Sequence, residues 1–184
     1  MEHLFVANTH SYILFFTDKG KCYWVKVYDI PEGGRAAKGR AIVNLIGCEP
    51  DEKVSAFISV KEFNEDHYVV MATEKGMVKK TKLSAYSNPR KKGIYAVEIR
   101  DGDKLIEARV STGDNDILLG TRNGKSIRFS EEQIRASGRK TMGVKGITLS
   151  SEDDRLVGML LIKREGTVLA VSYTHLRAHE TSLH

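Results

Sequence analysis

Tyr68-Val69-Val70-Met71-Ala72-Thr73-Glu74-Lys75-Gly76-Met77-Val78-Lys79-Lys80-Thr81 reads as strand, turn, strand. Five consecutive apolar or aromatic residues make a strand-sized run. Gly76 then stands where a tight hairpin turn needs positive φ at no steric cost. The same grammar occurs twice more in the chain. Tyr12-Ile13-Leu14-Phe15-Phe16 leads to Asp18-Lys19-Gly20, and Ile117-Leu118-Leu119-Gly120 leads to Arg122-Asn123-Gly124. After each hairpin comes a basic loop closing on glycine: Arg35-Ala36-Ala37-Lys38-Gly39, Arg90-Lys91-Lys92-Gly93, and Arg139-Lys140 leading to Lys145-Gly146. A further strand is expected after each loop. An acidic turn then opens the next strand, at Asp51-Glu52-Lys53, Gly102-Asp103-Lys104 and Asp153-Asp154-Arg155. Landmarks recurring in one order about every fifty residues, on short β-branched and aromatic runs, predict four-stranded blades of a propeller-like array. The fold class is all-β. The best helix signal, Ser130 to Arg135 with capping-box spacing of Ser130 and Gln133, is long enough for one or two turns.

Charge follows the repeat. Lys79 to Val97 holds six basic residues and no acid, while Glu49 to Asp66 holds six acids against two bases. Lys19–Arg40 and Arg122–Gly146 are likewise basic, and Glu98–Asp116 is acidic. Equivalent positions of successive blades lie at equivalent places on a disc, so this alternation gathers positive charge on one rim or face. Such a footprint suits a polyanion tracked over several blades. The candidate DNA-binding residues are Arg35, Lys38, Arg40, Lys79, Lys80, Lys82, Arg90, Lys91, Lys92, Lys125, Arg128, Arg135, Arg139, Lys140 and Lys145. Aromatic residues make up 8% of the chain and fall mostly within the strands, which favours phosphate contacts on duplex DNA over base stacking.

The net charge of +5 over 184 residues permits a polyanionic partner. No apolar run reaches the length of a spanning helix, and no membrane partner is expected. Two isolated cysteines, Cys22 and Cys48, suit reduced residues of a cytoplasmic protein. Gly124-Lys125-Ser126 resembles the end of a phosphate-binding loop, but Gly120 stands one residue too close and the context is a hairpin. Asp101-Gly102-Asp103 lacks the spaced oxygen ligands of a metal loop, and the histidines lack metal spacing. No catalytic residue, metal or cofactor is therefore assigned to the chain.

The stretch Lys26 to Leu45, with Phe5-Val6-Ala7-Asn8-Thr9-His10, Met71-Ala72-Thr73, Val78-Lys79-Lys80-Thr81 and Val144-Lys145-Gly146-Ile147, closely resembles C-terminal domains of the DNA gyrase A family. The resemblance implies a β-pinwheel, with duplex DNA bent without sequence specificity around a basic outer edge. It also implies a bacterial, nucleoid-associated setting. The parent enzyme would be a type IIA topoisomerase that introduces negative supercoils. There gyrase A joins gyrase B in an A2B2 heterotetramer, and ATP and Mg2+ act through other domains. The catalytic tyrosine and ATPase domains of that enzyme are not in this sequence, and the family's Gln-Arg-Arg-Gly-Gly-Lys-Gly box is missing. The expected organisation is an incomplete disc over residues 1–171, about three blades and the start of another. Residues 172–184 read as a non-native tail resembling a translated sequencing adapter. The C-terminal domain of the related topoisomerase IV protein is the second reading, a propeller-like protein-interaction scaffold the third, and an enzyme fragment with an unrecognised site the last.

Overall fold

The computed structural model describes residues 6–34, 36–39 and 41–163. The proposed tail, the N-terminal Phe5, and Arg35 and Arg40 lie outside the described residues. In the first repeat, β1 (Tyr12–Thr17) and β2 (Lys21–Lys26) form a hairpin, followed by a short helix α1 (Ile42–Ile46) and β3 (Val54–Val60). The second repeat holds β4 (Tyr68–Thr73), β5 (Met77–Lys82), the two-residue β6 (Ile94–Tyr95) and β7 (Leu105–Ser111). The third holds β8 (Asp116–Thr121), β9 (Ser126–Ser130), β10 (Val144–Lys145) and β11 (Leu156–Ile162). All pairings are antiparallel, and Gly20, Gly76 and Gly124 take φ of 79°, 83° and 81° at the three hairpin turns.

The blades are built by exchange. The strand after the second and after the third basic loop pairs with the hairpin of the preceding repeat, giving sheets ordered β3-β1-β2-β6, β10-β5-β4-β7 and β11-β8-β9. β6 pairs Ile94 with Cys22, and β10 pairs Val144 with Val78. Among the described residues the third blade has three strands.

Burial explains the strand sequences. The middle blade is covered on both faces, so β4 is apolar throughout: Val69 and Met71 join Leu14, Phe16 and Ala108 in one core, while Val70 and Ala72 join Ile117, Leu119 and Met159 in the next. β3 lies beside β7, and β7 beside β11, so the third hairpin-type strands converge at a hub. β2, β5 and β9 lie on the far side of each sheet, with the exchanged strands outside β2 and β5; these form the rim.

Two expectations are corrected. After the first basic loop the chain forms α1, not a strand; Ile42, Leu45 and Ile46 pack on Ile13, Phe15, Tyr23 and Val25, closing the outer face of the first blade. The third basic loop closes on Gly143, with φ of 85° matching Gly93 at 68°, and not on Gly146. A Cβ at Gly93 would meet Cys22 O at 3.0 Å and one at Gly143 would meet Val78 O at 2.4 Å, which are equivalent atoms of consecutive blades. The expected short helical segment at Ser130 is a single 3-10 turn (Glu131–Gln133), with Ser130 Oγ accepting from Glu132 N at 3.3 Å.

Candidate nucleic-acid interface

The acidic turns are latches more than a counter-charged surface. Asp103 is buried and its Oδ1 accepts from Lys75 N (2.9 Å) and Lys104 N (2.8 Å), tying the hairpin turn of the second blade to β7. Asp154 does the same for the third, accepting from Asn123 N (3.1 Å) and Arg155 N (3.0 Å). In the first blade the direction reverses: Asp18 Oδ1, on the hairpin turn, accepts from Lys53 N at 2.9 Å. The buried Glu52 there takes Tyr23 Oη (2.8 Å) and Lys21 Nζ (3.0 Å) instead. Some of the remaining acid is also matched. Lys19 bonds Asp51, Lys21 bonds Glu49 at 2.8 Å, and both Lys104 (3.7 Å) and Arg155 (3.4 Å) reach Glu74.

The candidate cations divide into three groups. Lys38, Lys82, Arg90, Lys91, Lys92, Lys125, Arg135, Lys140 and Lys145 are exposed, and none of them makes an ion pair within 4 Å among the described residues. Arg90, Lys91 and Lys92 sit in the loop feeding the exchanged β6, and Lys140 and Lys145 flank or occupy β10. Their common place is the rim. Arg128 is on β9 but its Nε bonds Asp116 Oδ2 at 2.8 Å, and Arg139 is half-buried.

The third group is a correction. Lys79 and Lys80 are internal, 1% and 7% exposed, not part of the exposed rim. Lys79 Nζ donates to Ala96 O (2.7 Å) and to Arg139 O, holding together the segments that lead away from β6 and into β10. Burial and the neighbouring Arg139 charge push its pKa down from 10.5 to about 8. Lys80 Nζ lies 3.4 Å from Glu131 Oε1, donates to Glu131 O at 3.2 Å and sits 4.8 Å from the centre of the Tyr68 ring. Glu131 is fully buried and also accepts from Ser111 Oγ. Periodicity could not reveal this, because Glu131 comes from the next repeat.

A groove of about 550 Å³ opens over these lysines, bordered by Arg135, Ser137, Thr141 and Gly143. It offers one exposed guanidinium and two hydroxyls 2.9 Å apart, groups that bind phosphate oxygens readily. Two aromatic residues are exposed: Tyr95 on β6 is 55% exposed and Tyr28 57%, the latter with Lys26 Nζ 5.2 Å over its ring. Their neighbours in sequence, a glycine loop and a basic strand end, are the signal that could have flagged them.

Residues 11–61, 67–112 and 115–163, one segment per repeat, match the family described as DNA gyrase C-terminal domain, beta-propeller. The chain belongs to this gyrase A C-terminal family. Among curated relatives, the DNA gyrase A protein of Clostridium acetobutylicum is 49% identical over 146 residues, covering 79% of this chain and 18% of the relative. The DNA gyrase A protein of Salmonella typhimurium is 44% identical over 172 residues, covering 94% and 20%. The chain thus spans about a fifth of the length of these relatives. Among solved structures, the C-terminal domain of DNA topoisomerase IV superposes with a TM-score of 0.77 at 31% identity, covering 85% of this chain and 48% of that one. A gyrase A C-terminal domain structure gives 0.71 at 24% identity, covering 85% and 50%, and shares the fold. The family's β-pinwheel is the fold described above.

Proposed function

We propose that the rim of this gyrase A C-terminal-type domain binds the backbone of duplex DNA without sequence preference. The observation that carries the reading is the set of exposed cations that make no ion pair among the described residues, several of them on the loops that feed the exchanged strands, while Asp103, Asp154 and Glu52 are taken up by latches and internal pairs. In a longer polypeptide of the kind its relatives represent, this module bends DNA for negative supercoiling by the whole topoisomerase. Gyrase B would be the partner in an A2B2 assembly, and ATP and Mg2+ would act through other domains. The setting is the bacterial cytoplasm. No helix among the described residues is long and apolar enough to cross a membrane. The topoisomerase IV likeness favours one second reading, the equivalent domain of that enzyme.

Salt titration of duplex binding tests the proposal. For about six phosphates neutralised, log affinity falls with log salt at a slope near −5. Replacing Arg90, Lys91 and Lys92 together with Ala weakens binding equally on unrelated sequences and makes the slope shallower by up to about three. A salt-independent association would sink the proposal, and unchanged binding by a folded triple variant would remove this loop from the interface. Bending DNA costs of order several kcal/mol, so three blades are expected to bind more readily than they wrap. Relaxing circular DNA with the protein bound, then measuring linking number, separates the two: binding with little linking-number change is the expected outcome.

A further inference from the structure

The third basic loop, residues 134–143, is stitched to two neighbouring segments. Ser137 N donates to Lys80 O at 2.8 Å, and Glu98 N, just past β6, donates to Thr141 O at 3.1 Å. Between these two backbone ties lies a side-chain tie, from Lys79 Nζ to Arg139 O. The same ammonium donates to Ala96 O at 2.7 Å, and Ala96 N in turn bonds the hairpin turn of the first blade at Gly20 O (2.8 Å). One buried cation thus joins the closed edge of the first blade to the loop that carries Arg135 and Lys140, both exposed.

The second basic loop shows that closing a blade does not itself call for a cation here. Tyr23 holds the position of Lys79 in the first blade, since Cys22 pairs with Ile94 as Val78 pairs with Val144. A Cβ at Gly93 would fall 2.8 Å from Tyr23 Cε1, and one at Gly143 2.9 Å from Lys79 Cβ, so both side chains lie against equivalent loop glycines. A neutral ring serves that packing in one blade and an alkyl stem in the other. What Lys79 adds is an ammonium, and burying one costs several kcal/mol unless polar groups answer it. Lys80 beside it has Glu131 Oε1 at 3.4 Å, whereas Lys79 makes no ion pair within 4 Å among the described residues. Carbonyl oxygens answer Lys79 instead, one of them from the middle of the loop.

We propose that Lys79 is a positioning residue for phosphate binding by the third basic loop: it touches no phosphate itself, and fixes the Arg139 carbonyl so that Arg135 and Lys140 stand in place on the rim. A loop already held in its binding geometry loses less conformational entropy when it meets the duplex backbone, which raises affinity without a new contact. The second basic loop, with Arg90, Lys91 and Lys92, is independent of Lys79. The inference rests on the duplex-binding reading above.

A double-mutant cycle on duplex affinity in the full 184-residue chain tests it. Lys79→Met weakens binding about three- to tenfold. Replacing Arg135 and Lys140 together with Ala weakens binding about tenfold in the parent chain and about twofold or less beside Lys79→Met, because the loop has already lost its geometry. Replacing Arg90, Lys91 and Lys92 with Ala has the same fold effect with and without Lys79. A Lys79 that is a structural staple alone, or a general positive charge, multiplies equally through both comparisons, and that outcome overturns the proposal. Side-chain NMR of Lys79 in the folded parent chain gives a second readout that needs no variant at that position. Its Cε signal shifts when a short duplex binds, shifts likewise when Arg90, Lys91 and Lys92 are Ala, and no longer shifts when Arg135 and Lys140 are Ala. A signal that stays put in all three chains also overturns the proposal. Absence of duplex binding by the parent chain would sink the DNA reading along with this one, whereas binding with multiplicative effects sinks this inference alone.

Discussion

The first and second blades place different chemistry at the same two positions of their second strands. Tyr23 and Trp24 fill them in the first blade; Tyr23 Oη donates to Glu52 and Trp24 Nε1 donates to Tyr86 O at 2.9 Å. Lys79 and Lys80 fill them in the second, and their ammonium groups bond the carbonyls and the carboxylate of neighbouring segments. Both blades join to the repeat that follows, one through the Trp24 indole and one through buried cations. Positive charge in this fold therefore has two uses. On the loops that feed the exchanged strands it faces solvent, and two residues into β5 it replaces a ring and is structural.

The largest expected effect comes from removing the carboxylate that answers Lys80. Glu131→Ala leaves a buried ammonium without its counter-charge and costs about 3–5 kcal/mol in the denaturant-unfolding free energy. A loss below about 1 kcal/mol would show that Lys80 escapes to solvent and that the two blades are not equivalent. The next effect is a pH dependence. Lys79 titrates near 8 when folded and near 10.5 when unfolded, so between these values the unfolded chain holds the extra proton. Stability therefore rises with pH in that window, by about 1–2 kcal/mol between about pH 8 and 9.5. Cys22 and Tyr86, whose burial raises their pKa values, act oppositely as pH climbs past their ordinary 9.0 and 10.0. They are common to the parent chain and Lys79→Met, so the difference between the two unfolding curves isolates Lys79; parallel curves would place its ammonium in water. The smallest effect belongs to the aromatic blade. Tyr23→Phe removes one donor to Glu52, which keeps Lys21, and costs about 1 kcal/mol by thermal melting.

The hairpins, their glycines and the repeat were legible because each depends on local rules: a strand-length apolar run, a positive φ, a fixed period. Strand exchange was not. β6 and β10 are two residues long, too short for any periodicity, and their partners lie in the preceding repeat. Ile42-Val43-Asn44-Leu45-Ile46 is β-branched and apolar and reads locally as a strand; packing on Ile13 and Phe15 makes it helical. The basic rim loops were visible as runs of like charge. The sequence could not distinguish Lys82, at the exposed end of β5, from Lys79 and Lys80 within it, because that depends on which segment of the third repeat covers the strand.

Exchange also sets the order in which such an array can be made. As the chain leaves the ribosome, the first hairpin waits for Ile94 and the second for Val144 before its rim edge is closed. The newest blade is always unfinished, and its exposed edge is the nascent chain's point of risk for mispairing. Each finished blade in turn depends on its successor remaining folded. Loss of a single unit then spreads backwards along the array, so stability resides in the junctions between neighbours more than in the units themselves.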